Sequence, residues 1–146
     1  MNINANELLS PAPQGFYVTA CRHGDLIFSS GMTPRHNGKL LYTGPARKSE
    51  PIASYRAPVV LACANAVAAI LQAMHDGEQL AKILNLSVYI AAEPDFEAHS
   101  QLADFASEYL HDKFGDVGIG SRAALGVASL PSQALIEIQI TAATGH

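Results

Sequence analysis

Strict alternation is clearest near the end of the chain. In residues 134–140 (ALIEIQI), Ile136, Ile138 and Ile140 fall on one side and Leu135, Glu137 and Gln139 on the other, the period of a strand with one buried face. Residues 84–91 (LNLSVYIA) and 122–129 also read as strands, and Leu130-Pro131-Ser132 joins 122–129 to the final strand, 134–142. Near the start, residues 17–22 and 26–30 flank His23-Gly24-Asp25 and predict a hairpin. Residues 31–50, punctuated by Pro34, Asn37-Gly38 and Gly44-Pro45, read as an excursion with one short strand around 39–42. From 54 to 74, Val60, Ala64, Val67, Leu71 and Met74 recur at steps of three and four, predicting a long helix with Pro58 in its first turn. A second helix is predicted from Pro94-Asp95 to Phe114, stopped by Gly115. The order ββ(β)αβαββ predicts a single α+β domain over 1–146, a mixed sheet with two helices packed on one face. Residues 1–14, with Pro11 and Pro13, read as a loose N-terminal arm.

The chain is 49% hydrophobic and only 15% charged, which suits a well-filled core and suggests surface buried in an oligomer. Nine Lys and Arg against 13 Asp and Glu, a formal charge of −4, make nucleic acid a poor partner. Cys21 and Cys63 form no CxxC, and the six histidines form no HxxxH or HxH pair, so no metal and no disulfide framework is expected. Cys21 reads as a small buried packing residue and the histidines as surface residues. Reduced thiols fit the cytoplasm. The opening MNINANELLSPAP lacks the basic and apolar regions of a secretory signal. Residues 57–71 are shorter than the ~20 residues of a bilayer span, so no membrane segment is expected.

The strongest pair of ionisable groups is Arg122 and Glu137. Arg122, Ala124, Gly126 and Ala128 share one face of their strand, so the arginine looks along a row of small side chains that leaves space beside it. Glu137, turned away from the isoleucines, is expected on a neighbouring strand and toward that space. An arginine fork over a cavity suits a carboxylate, and a glutamate beside it suits activation of water. The alternative is an Arg-Glu ion pair on a solvated sheet face. Ser29-Ser30-Gly31 lacks the first glycine of a nucleophile elbow, and the glycines of 115–120 end a helix rather than open one, so neither marks a hydrolase triad or a dinucleotide site.

Together, Gly15-Phe-Tyr17, Gly24-Asp-Leu-Ile-Phe-Ser-Ser-Gly31, and Arg122 followed by Leu130-Pro131 and Ile136-Glu137-Ile138 resemble the RidA/YjgF family, also called L-PSP endoribonuclease-like. The resemblance implies a chorismate-mutase-like fold, a homotrimer with clefts at subunit interfaces, and cofactor-free hydrolysis of enamines and imines to 2-oxo acids and ammonia. It implies that Arg122 binds the substrate carboxylate, that Glu137 activates water and that Tyr17 lines the cleft as a catalytic residue. Ser30, Gly31 and Ala124 are implied as substrate-binding. Met32 stands where Gln is common, Ala124 where the best-known members carry Cys, and Ser100 is the nearest candidate for a helix Asn that some members direct at the cleft. The remaining alternatives are a non-catalytic binder of small carboxylates and, behind it, a ribonuclease.

Overall fold

The final strand runs through the middle of the sheet, which is why its alternation is so clean. In the computed structural model, which describes residues 11–146, the strands are β1 (Ala20–His23), β2 (Leu26–Ser29), β3 (Arg35–His36), β4 (Lys39–Leu40), β5 (Gln79–Ala91), β6 (Ser121–Val127) and β7 (Ile136–Gly145). The helices are α1 (Arg56–Gln72) and α2 (His99–Phe114). Five strands form one sheet in the order β1-β2-β7-β5-β6, antiparallel except for the β5–β6 pair, while β3 and β4 make a separate ribbon. Both helices pack on one face. This is the mixed α+β architecture expected from the pattern. The expected arm falls mostly on residues 1–10, outside the described range.

Ile136, Ile138 and Ile140 are fully buried beneath the helices, each contributing about 1.5–3 kcal/mol of burial energy. The helix α1 differs from a single inward stripe. It is buried all the way round from Leu61 to Ile70, whereas Val60, Leu71 and Met74 are only partly covered. The sheet covers one side of α1, α2 covers another, and Asn65 donates to the carbonyls of Thr33 and Arg35 at 3.0 and 2.8 Å on a third. Its alanines permit this close packing on several sides. By length and composition the run Ile52–Gln72 is apolar enough to cross a bilayer, contrary to the shorter stretch read from sequence; 72% of its apolar window is buried inside the domain, as in a core helix.

Other boundaries move for local reasons. The helix α2 starts at His99 rather than Pro94, because the Phe96 N–H closes a turn onto Glu93 at 3.0 Å and the Phe96 ring buries edge-on against Tyr55. Gly115 ends it as expected, at φ +70°, where a side chain is disfavoured. The strand β5 begins five residues before the expected 84, hidden by register shifts at Leu80/Lys82 and Ile83/Asn85 that break the alternation. Cys21, expected to be buried, is exposed on the helix-free face of β1.

At one corner, Arg22 on β1 grips Glu78 through both forks, Nη1 to Oε1 at 2.5 Å and Nη2 to Oε2 at 2.6 Å. Glu78 also accepts from the His75 N–H and the Thr144 hydroxyl, so one carboxylate ties β1, β5 and β7 together. These donors hold its pKa far below the usual carboxylate range. Its contribution is therefore full above the unfolded pKa of about 4.3 and is lost as pH falls toward the lower folded value. Glu78→Gln should lower Tm at pH 7, and the gap from wild type should shrink below about pH 4 as the wild type's Glu78 advantage is titrated away. Thermal melts of both proteins across pH check this.

Candidate active site

Glu137 sits on β7 with its side chain on the helix-free face. Cross-strand from it on β5 is Tyr89, which in turn faces Leu125 on β6. The carboxyl is half-buried, and burial pushes its pKa up because the charged form loses water. Among the described residues no hydrogen bond or ion pair compensates that loss. The carboxyl lies against Gly31: a Cβ there would lie 2.5 Å from Glu137 Oε2 and 2.9 Å from Cγ. The chain after β2 is held at this spot by reciprocal bonds between Met32 and Ile138, at 2.7 and 2.8 Å. The missing side chain at position 31 is what gives the carboxyl its seat. Gly31→Ala should expel it into water and return its pKa toward the ordinary value, which NMR titration of the carboxyl carbon reads.

Ser30 turns its hydroxyl to the Val18 carbonyl at 2.6 Å, and its N–H bonds the Thr19 carbonyl at 2.8 Å. Its side chain is thereby committed to pinning the segment that follows Tyr17. Tyr17 itself is 46% exposed, and its hydroxyl accepts from the Gln14 N–H at 3.1 Å. Phe16 and Val18 beside it are also exposed.

Arg122 lies on the opposite face. It is paired in register with Leu86, which is also opposite Ile140, so its side chain enters the helix-covered side. There it meets a polar stripe on α2. Nη1 donates to Asp104 Oδ1 at 2.8 Å and to Ser107 Oγ at 3.0 Å, and Nη2 donates to Ser100 Oγ at 2.9 Å. Positions 100, 104 and 107 follow the i, i+4, i+7 spacing of one helix face, a signal present in the sequence that only the partner strand makes meaningful. An open cleft of about 470 Å³ adjoins the arginine, lined by Glu97, His99, Ser100, Ala124, Leu125 and Gly126 as well. Gly126 leaves room for His99, whose Nε2 would stand 2.6 Å from a Cβ there, and the imidazole rests edge-on against Phe96. His99 and Glu97 are cleft residues that sequence reasoning missed.

The expected juxtaposition of Arg122 and Glu137 is therefore corrected. The strand β5 lies between β6 and β7, and the register puts the two side chains on opposite faces of the sheet. A direct ion pair within one chain is excluded by the same geometry. Among the described residues no three His, Cys, Asp or Glu side chains gather as a metal site.

The α+β domain thus carries two helices on one face of its sheet, an unpaired carboxyl among the described residues on the other, and an arginine beside an edge-strand cleft. The chain belongs to the family described as endoribonuclease L-PSP, whose model matches residues 8–144, the RidA/YjgF family of the sequence resemblance. It is 31% identical over 129 residues to Protein TCP17 of Trypanosoma cruzi, covering 87% of this chain and 80% of that one. The crystal structure of a putative endoribonuclease from Shewanella oneidensis superposes with a TM-score of 0.83 at 28% identity, covering 95% of this chain and 94% of that one. The structure of E. coli TdcF with bound serine has the same fold, with a TM-score of 0.66 at 21% identity and 92% of each chain covered.

Proposed function

We propose that the chain hydrolyses small 2-imino and 2-enamino acids to 2-oxo acids and ammonia, at a site built between chains of a homotrimer from Arg122 of one copy and Glu137 of the next. The observation that carries this reading is Glu137: a half-buried carboxyl, raised in pKa, seated on Gly31 and without a bonding partner among the described residues. A structural carboxylate is normally hydrogen-bonded or paired, and a raised pKa moves a general base toward neutral pH. Because Arg122 is on the other face, a substrate touching both groups must lie between two copies. Leu26, Phe28 and Leu125, exposed on the face that carries Glu137, are apolar surface for a second copy to cover.

In this reading Arg122 binds the substrate carboxylate and fixes the imine carbon near a water on Glu137. Glu137 takes a proton from that water as its oxygen bonds to the carbon, and the C=N electron pair moves to nitrogen. The proton passes to the nitrogen to give a carbinolamine; Glu137 then takes the hydroxyl proton and returns it to the nitrogen as the C=O bond forms and the C–N bond breaks, so that ammonia leaves a 2-oxo acid. The imine carbon is already electrophilic, so no cofactor is called for. Tyr17 and Gly31 line the cleft on the glutamate side and Ala124 on the arginine side, with Ser30 holding the Tyr17 segment. The serine bound in E. coli TdcF is a small carboxylate and fits this ligand class. Two free thiols fit a reducing cytoplasmic setting.

The alternative, a non-catalytic carboxylate binder, keeps Arg122 and gives Glu137 no proton to take. The family description also names ribonuclease activity, but a formal charge of −4 argues against a nucleic-acid partner. Light scattering should give three times the chain's 15.4 kDa. Imines generated in situ from an amino-acid panel should lose their absorbance faster with the protein than without it. A monomer, or no acceleration across the panel, refutes the proposal.

A further inference from the structure

The cleft beside Arg122 is not a simple anion site, although it contains an arginine. Asp104 already neutralises the guanidinium at 2.8 Å. Glu97, exposed and without a bond among the described residues, lines the same cleft. Counting Arg122, Asp104 and Glu97, the formal charge there is −1, and Glu137 from a second copy adds no positive charge. The guanidinium still has something to offer. Asp104, Ser107, Ser100 Oγ and the Ser100 carbonyl take four of its five N–H groups, and Nε alone has no partner among the described residues. A carboxylate can therefore join Arg122 without displacing Asp104, while the surrounding field opposes any additional negative charge.

We infer that this cleft selects zwitterionic ligands with a cationic or neutral side chain, the carboxylate on Arg122 and the positive group toward Glu97, and rejects dicarboxylates. The inference rests on the Arg122 carboxylate site proposed above and names its substrate class: iminium carboxylates derived from basic amino acids ahead of those derived from acidic ones. Like charge in the cleft penalises an acidic side chain, and the opposite charge of Glu97 favours a basic one. Ser100, Asp104 and Ser107 are positioning residues here, holding both Nη groups of the arginine so that Nε is left for the ligand.

The test uses arginine, alanine and glutamate as stable amino-acid analogues, with calorimetric affinities for the wild-type protein and for Glu97→Gln. Arginine should bind wild type on the order of ten-fold more tightly than glutamate, with alanine between them, and low salt should widen the gap. In Glu97→Gln the advantage of arginine over alanine should close. Glu97 is exposed and unbonded, so its replacement leaves the fold intact. Glutamate binding as tightly as arginine, or an arginine preference untouched in Glu97→Gln, overturns the inference and leaves the carboxylate site standing. Binding of none of the three analogues overturns both.

Discussion

Glu137→Gln should slow imine hydrolysis by about 10²–10⁴-fold while substrate affinity stays close to wild type. The amide keeps the shape that fills the space over Gly31, so the seat and its neighbours are retained. It cannot accept a proton from water. The pH profile gives a second readout. Burial raises the Glu137 pKa above the ordinary carboxyl value, so wild-type activity should fall as pH drops through that raised value and the base becomes protonated. The variant should lack this acidic limb. Single-turnover hydrolysis and ligand affinity on the same preparations check both. If binding drops while the chemical rate survives, Glu137 shapes the cleft and the binding-module alternative takes its place.

Arg122→Lys should lower kcat/KM by about 10–10²-fold, chiefly through KM. A lysine keeps the charge but loses the planar fork that lets one group bond Asp104, Ser107 and Ser100 while leaving Nε for the ligand. Stability should change little, since the Asp104 partner is 56% exposed and such pairs contribute about 0–1 kcal/mol. Steady-state kinetics with a thermal melt separates the two effects. Unchanged kcat/KM would remove Arg122 from the substrate site.

The fold was legible where a strand or helix buries one clean face. The isoleucines of β7, the hairpin of β1 and β2 and the Gly115 stop follow from local pattern, and the motif carrying Gly31, Arg122 and Glu137 pointed to the family. What local pattern does not carry is strand order. Residues 122–129 and 134–142 are joined by a short turn and read as neighbours, yet β5 inserts between them and pairs with both. That insertion sends Arg122 and Glu137 to opposite faces, since register across two pairings decides the side. Likewise the stripe Ser100, Asp104 and Ser107 is visible at helical spacing, but its meaning depends on which strand α2 crosses. Glu97 and His99 escaped notice because they enter the cleft from the turn where a helix was expected to have already begun.

If one working site needs two chains, subunit complementation should restore it. Arg122→Ala and Glu137→Gln chains, each inactive alone, would be co-expressed in equal amounts and purified as mixed assemblies. In a random mixture about a quarter of the sites pair an intact Arg122 with an intact Glu137, so about a quarter of wild-type imine hydrolysis should return. Activity no greater than the sum of the two separate variants would contradict the account.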